Sequence, residues 1–224
     1  GCHLALADKN MPGLMELHAA LLTSSDSKTA RHISLHQLDV ADREAVYAWA
    51  DDVAREHGHV DIVINNAGVA AIGSIDEISI EDFDWVFDIV FYGVLYGSKA
   101  FLPYLKTRDE ANIVNISSVN AFFPFPNNGP YNCAKHAVKA LNQTLIQELA
   151  GTAVKVTSVH PGGIKTNIAN SSRYVGLSSN PAQHANTSER FNKTAMTTPE
   201  QAASVIIKGI KKDKQRLLVG FDAY

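Results

Sequence analysis

The amino-acid sequence predicts a single doubly wound α/β domain built on a parallel sheet, spanning residues 1–224. Three observations carry that expectation. Short runs rich in Val, Ile and Leu alternate with longer amphipathic segments, the pattern of βαβ units. The 224 residues are 46% hydrophobic and 19% charged, the composition of a folded globular chain and far from that of disorder. No internal repeat or low-complexity tract competes with this reading, and the length suits one domain.

Taken in order, the first strand is His3 to Ala7, ending at Asp8, and the second is Ile33 to Leu38, ending at Asp39. A helix follows over Asp42 to His57, where Val46, Trp49, Ala50, Val53 and Ala54 recur at helical spacing. Asp42 is placed to cap its start and Gly58 to stop it. The third strand, Val60 to Asn65, runs into Asn66-Ala67-Gly68. The fourth, Asn112 to Ser117, runs into Ser118, and the fifth, Val154 to Val159, into His160-Pro161-Gly162-Gly163. The last helix opens with Thr198, Pro199 and Gln201, a capping box with proline at the first helical position. Lys208, Lys211 and Lys212 complement its negative end before a final strand, Arg216 to Gly220. Residues 168–197 are rich in Ser, Asn and Ala without periodicity, the composition of a lid, and carry only Arg173 and Arg190 as candidate anchors for an anion.

Composition excludes several function classes. With 20 Lys and Arg against 23 Asp and Glu, the net charge is -3, so no broad basic surface awaits nucleic acid. The most apolar stretch, Val86 to Leu95, is broken by Asp88 and falls short of the roughly 18 residues of a membrane span, so no membrane partner is expected. Cys2 and Cys133 are too few for a disulfide framework, and GCHLALAD has neither the basic start nor the cleavage site of a signal peptide; a cytoplasmic location is expected. Cys133 is read as a buried packing thiol. His32 and His36 share a strand face and His57 and His59 flank a glycine, but no carboxylate or cysteine set completes them, so no metal is expected.

Parallel α/β sheets take their ligands beyond the carboxyl ends of the strands. Just there, Tyr131 and Lys135 stand four residues apart and so on one helical face. An ammonium beside a phenol favours the phenolate and brings its pKa from about 10 towards the range of a general acid/base. Two common residues at one spacing are weak by themselves, since a partly buried tyrosine beside a surface lysine gives the same pattern.

The set Asp39, NNAG at 65–68, NISS at 115–118, YxxxK at 131–135 and PGGIKT at 161–166, in that order, resembles the short-chain dehydrogenase/reductase family over nearly the whole chain. The resemblance implies a Rossmann-type fold and an NAD(P)-dependent oxidoreductase acting on CH–OH groups. It makes Tyr131 the proton donor or acceptor, Lys135 its activator and a ligand of the nicotinamide ribose, and Ser118 the group that holds the substrate oxygen. By the same resemblance, Asp39 and Val40 meet the adenine ring, Asn66, Ala67 and Gly68 line the nucleotide, and Pro161, Gly162, Ile164 and Thr166 hold the nicotinamide. Ser118, Asn120, Phe122 and Tyr131 are assigned to the substrate, a small alcohol or ketone. The aromatic run Phe122, Phe123, Phe125 is read as an apolar pocket wall. Asp8 accepts from ribose hydroxyls and repels a 2'-phosphate, which favours NAD over NADP. The family further implies a homodimer or homotetramer through helices near Phe83 to Leu105 and Tyr131 to Leu149.

Two departures stand out. The family's early glycine-rich turn, which holds the pyrophosphate, has no counterpart, because His3 to Ala7 matches the family's second strand. The expectation is that about one βα unit precedes Gly1, or that the chain lacks the phosphate site. Val90 stands where the family carries an asparagine that bends a helix and holds a proton-relaying water, so a slower or altered relay is expected. The alternatives are an NADP-dependent carbonyl reductase and a catalytically weak, nucleotide-binding regulatory protein.

Overall fold

The computed structural model describes residues 2–23, 32–176, 180, 189 and 193–223. Along the chain run β1 (Leu4–Asp8), α1 (Met11–Thr23), β2 (Ile33–Gln37), α2 (Arg43–His57), β3 (Ile62–Asn65), β4 (Ala71–Ile72) and α3 (Ile80–Phe87). A π-helical turn (Asp88–Tyr92) leads into α4 (Gly93–Leu105), followed by β5 (Ala111–Ile116), α5 (Gly129–Glu148) and β6 (Val154–Pro161). The remainder is α6 (Ile168–Ser171), β7 (Arg173–Tyr174), α7 (Pro199–Ile210) and β8 (Arg216–Val219).

Every strand pairing is parallel. β1 lies on β2 in the register Leu4 to Ile33, and a second sheet runs β3-β5-β6-β8. Among the described residues no ladder joins β1 to β3. On β3, Ile62 is 45% and Ile64 53% exposed, an unusual state for apolar residues of a parallel strand.

Burial on both faces explains the consecutive apolar residues at the centre of β5. Consecutive Ile113 and Val114 are both fully buried because they point to opposite sides. Ile113 packs with Val46, Ala50 and Val53 of α2 and with Ala100, Phe101 and Leu105 of α4. Val114 packs instead with Val159, Val219 and Ala202 of α7. Each such side chain contributes about 1.5–3 kcal/mol by leaving water.

Local signals set the helix ends. Asp42 accepts from the Ala45 amide at 3.0 Å, Gly58 closes α2 at φ +79°, and Thr198 with Gln201 forms the expected capping box on α7. Three expectations are corrected. The apolar stretch around Val86 is not short: α3, the π-turn and α4 form one run of 26 residues, Ile80–Leu105, long and apolar enough by composition to cross a membrane. Its Val86, Val90, Ala100, Phe101 and Leu105 lie in the interior clusters, which makes it a core helix. Cys133 is exposed, because the buried stripe of α5 is Ala134, Lys135, Val138 and Asn142 and leaves position 133 outside it. Arg173 is not an open anchor: it bonds Asp82 at 2.8 Å and stacks 3.7 Å over Trp85. The segment 168–197 opens with structure of its own, since β7 pairs with β4; Arg190 lies outside the described residues.

Candidate active site

Ladder bonding of β5 ends at Ser117, whose amide donates to Val159 O and whose hydroxyl donates to Lys135 O at 3.0 Å, stitching the strand end to α5. Ser118 is extended, and its Oγ accepts from the Asn120 amide at 3.1 Å, capping a 3₁₀ turn, Val119–Ala121. Pro130 sits in the first turn of α5, where its missing N–H costs nothing. Tyr131 and Lys135 follow one turn apart, so the strand end and the helix start bring Ser118, Tyr131 and Lys135 together.

Ser118 lies close enough to the Tyr131 phenol to lower its pKa. Lys135 is 3% exposed; its Nζ lies 5.5 Å from the Tyr131 ring centre and donates to Ile116 O at 2.7 Å. Burial pushes the Lys135 ammonium down to about 7. Burial likewise raises the Tyr131 phenol above its ordinary value, with Ser118 opposing. The sequence reading, in which the ammonium lowers the phenol, is therefore corrected for this state: a desolvated lysine close to half-neutral at pH 7 is a weak cation, and burial prevails. An acceptor or negative charge brought to Nζ would restore its proton.

Asn120, assigned to the substrate, turns inward. Its Oδ1 accepts from Ser118 Oγ at 3.3 Å, and its amide donates to Asn132, which in turn bonds Phe125 O. Phe122 packs against His160 at 4.7 Å with Lys139 Nζ 4.3 Å over its ring, lining a groove of about 600 Å³ on the α5–β6 side. Phe123 and Phe125 are the exposed members of the aromatic run, at 71% and 54%.

A buried chain of side chains, not anticipated from the sequence, ends behind Ser118. Asn65 donates to Asn115 at 2.7 Å, Asn115 to Asn142 at 2.7 Å, and Asn142 to Ser158 at 2.8 Å. Ser158 meets His160 Nε2 at 3.0 Å, and His160 Nδ1 meets Ser118 O at 3.2 Å. Amide NH₂ groups only donate, so every bond runs in one direction and the chain makes His160 the Nδ1–H tautomer. Burial holds that imidazole near a pKa of about 4, hence neutral. Only the His-Pro-Gly run marked the position in the sequence; its partners come from three other elements.

The residues expected to meet the nucleotide follow the carboxyl ends of β1, β2, β3 and β6. Asn66, Ala67 and Gly68 are exposed, and a Cβ on Gly68 would sit 3.9 Å from Lys135 Nζ. Val40 abuts Gly93, where a Cβ would come within 2.8 Å of it. Asp39 pairs with Lys9 at 2.6 Å, and that bond holds its carboxyl below the usual range. Asp8 is exposed, and its Oδ1 accepts from the Asn10 amide at 2.8 Å. Beyond β6, Gly162 N donates to Val219 O, Ile164 bridges to Thr197 and packs on the interior, Pro161 is half-buried, and Thr166 is exposed. Val90 is fully buried against Ala71, Val86 and Ala134; the π-turn is present with valine there, and its side chain has no hydrogen-bonding group.

A parallel α/β fold with serine, tyrosine and lysine converging at the strand ends, beside exposed backbone leading to Gly68, defines a dinucleotide-dependent oxidoreductase. Residues 1–174 match the short chain dehydrogenase family. The chain is 39% identical over 223 residues to a Mycobacterium tuberculosis protein carrying the oxidoreductase name SadH, covering 98% of this chain and 78% of that protein. It is 33% identical to mouse dehydrogenase/reductase SDR family member 7B, over 84% of this chain and 60% of the other. A crystal structure of a Burkholderia phymatum short-chain dehydrogenase/reductase with NAD superposes with a TM-score of 0.85 at 28% identity, over 97% of this chain and 80% of that one. The chain belongs to the short-chain dehydrogenase/reductase family and is an NAD(P)-dependent oxidoreductase.

Proposed function

We propose that this protein interconverts a small, apolar secondary alcohol and its ketone with NAD(H), Tyr131 moving the proton. The observation that carries the reading is Ser118 at the end of β5 facing Tyr131 and a buried Lys135 that stand one turn apart on α5. A bound nicotinamide supplies or receives the hydride. Ser118 Oγ and the Tyr131 hydroxyl then bracket one substrate oxygen, where charge develops as a carbonyl becomes an alkoxide. In reduction Tyr131 gives its proton to that oxygen; in oxidation it takes it back. Lys135 has one hydrogen bond among the described residues and three donors in all, which leaves donors for ribose hydroxyls. Those hydroxyls would stabilise its charged form, and the charge in turn would favour the phenolate.

Asp8 supports NAD over NADP. Its neighbour Lys9 is held on Asp39, so the Asp8 carboxylate keeps the negative charge that opposes a 2'-phosphate. Exposed Phe123 and Phe125 beside the site support an apolar substrate. The unjoined edges of β1 and β3, with Ile62 and Ile64 exposed, support one further parallel strand and helix between them, supplying the pyrophosphate turn. By family resemblance the protein forms a homodimer or homotetramer through α4 and α5.

The test is Tyr131→Phe in the full-length protein. Turnover of an alcohol and ketone panel falls at least a hundredfold while NADH binding, read by fluorescence, stays within a few-fold. Unchanged turnover overturns the assignment. Val90 favours the second reading, a nucleotide-binding regulatory protein: NADH binding with no turnover of any panel member by the wild type would establish it.

A further inference from the structure

Far from the candidate active site, three imidazoles converge that are separated widely in sequence. His3 immediately precedes β1 and His32 immediately precedes β2, and the parallel register, continued by Leu4 N donating to His32 O, sets them side by side. His57 is the last residue of α2, a helix that runs back against the strand direction and so ends at their amino ends. One ring nitrogen from each of the three lies within 4.8 Å of the other two. His32 and His57 stack at 4.4 Å between ring centres, and His3 stands edge-on to both at 6.3 and 6.4 Å. Three imidazoles on one tetrahedral ion, with metal–nitrogen bonds of about 2.0–2.1 Å, need ring centres roughly 5 Å apart.

We propose that His3, His32 and His57 bind one divalent transition-metal ion of the zinc type, leaving its fourth position to water. The outer contacts are those of metal-ligating histidines. His32 Nε2 is 2.9 Å from the Glu56 carboxylate, and His57 Nε2 is 2.8 Å from Ser34 Oγ, which also meets His36 Nε2 at 2.7 Å. Glu56 only accepts, so it takes the N–H of His32 Nε2 and leaves that Nδ1 for the ion, while Ser34 Oγ can accept from His57 Nε2 as it donates to His36, the arrangement that would leave Nδ1 of His57 for the ion as well. The bond from His32 N–H to His3 Nδ1, at 3.3 Å, is the longest in the cluster and the one an ion at Nδ1 would replace. Burial and the surrounding imidazoles hold His57 below its ordinary pKa, which favours the neutral ring that a metal ion takes. Imidazole-only ligation selects zinc, copper or nickel over magnesium or calcium. The ion would clasp β1, β2 and α2 at the strand ends remote from the nucleotide, with a structural and not a catalytic role.

The site escapes the sequence reading because the ligands are 29 and 25 residues apart and share no motif spacing. It is tested on the full-length protein, stripped with a chelator and titrated with zinc chloride alone by calorimetry. The expected result is one ion per chain, with dissociation constant in the micromolar range or tighter, and a thermal midpoint that rises with zinc. His3→Gln, at an exposed position, and His57→Gln each weaken binding at least tenfold and abolish the thermal shift, while circular dichroism and NADH affinity are unchanged. Cys2→Ser leaves binding intact. Failure of the wild type to bind zinc overturns the proposal, as does binding that both histidine variants retain or that Cys2→Ser removes.

Discussion

Replacing Lys135 by methionine removes activity, yet it stabilises the fold at low pH. The fall of the ammonium from 10.5 to about 7 corresponds, at 1.36 kcal/mol for each tenfold, to about 5 kcal/mol of lost hydration when the buried group is charged. Methionine keeps the apolar stem without the charge, but orphans Ile116 O, which Nζ bonds at 2.7 Å, at a cost of about 1–2 kcal/mol. The expected net gain at pH 6.5 is about 2–4 kcal/mol. Its sign depends on pH in a defined way. Between about 7 and 10.5 the unfolded chain keeps the lysine proton and the folded chain does not, so raising the pH favours the folded wild type by up to about 1.4 kcal/mol per pH unit. The advantage of Lys135→Met therefore shrinks from pH 7 to 9.5 and reverses near the top of that window. Urea unfolding of both proteins at pH 6.5, 7.5, 8.5 and 9.5 measures it, since other titrations cancel in the difference. A variant less stable than wild type at pH 6.5, or a difference that does not change with pH, refutes the argument.

Two further outcomes test the buried amide chain. Asn142→Leu strips Asn115 Nδ2 and Ser158 Oγ of partners at 2.7 and 2.8 Å in a site with no solvent, and loses about 2–4 kcal/mol in urea unfolding. Gly97→Ala ought to help a helix by about 1 kcal/mol, but its Cβ would fall 2.1 Å from Asn65 Oδ1; the displaced amide makes the change destabilising by about 1–3 kcal/mol, read from the denaturation midpoint.

Elements whose causes are local were legible in the chain. Asp42, Gly58 and the Thr198–Gln201 pair act within one helical turn, so residue type and spacing suffice to place them. The six strands were legible as short runs rich in Val, Ile and Leu between amphipathic segments, and in β5 the consecutive Ile113 and Val114 are apolar because the strand is buried on both faces. The convergence of Ser118, Tyr131 and Lys135 was legible through their motif. Faces were not: whether Cys133 is inside depends on which side of α5 meets the interior, and the answer comes from Val90, Val86 and Ala71, residues on other elements.

The sequence by itself determined the doubly wound α/β fold, because strand periodicity and caps are written in near neighbours, and its resemblance to the short-chain dehydrogenase/reductase family carried the oxidoreductase reading and the proposed Ser118, Tyr131 and Lys135 site. Only the tertiary structure decided the protonation of that site, the pairing of Lys9 with Asp39 and Arg173 with Asp82, the one-way amide chain behind Ser118, and the cluster of His3, His32 and His57. Each depends on dehydration or on contacts between residues far apart in the chain. Burial and long-range approach are properties of the packed molecule, set by which helix faces and strand ends meet, and no window of the sequence contains them.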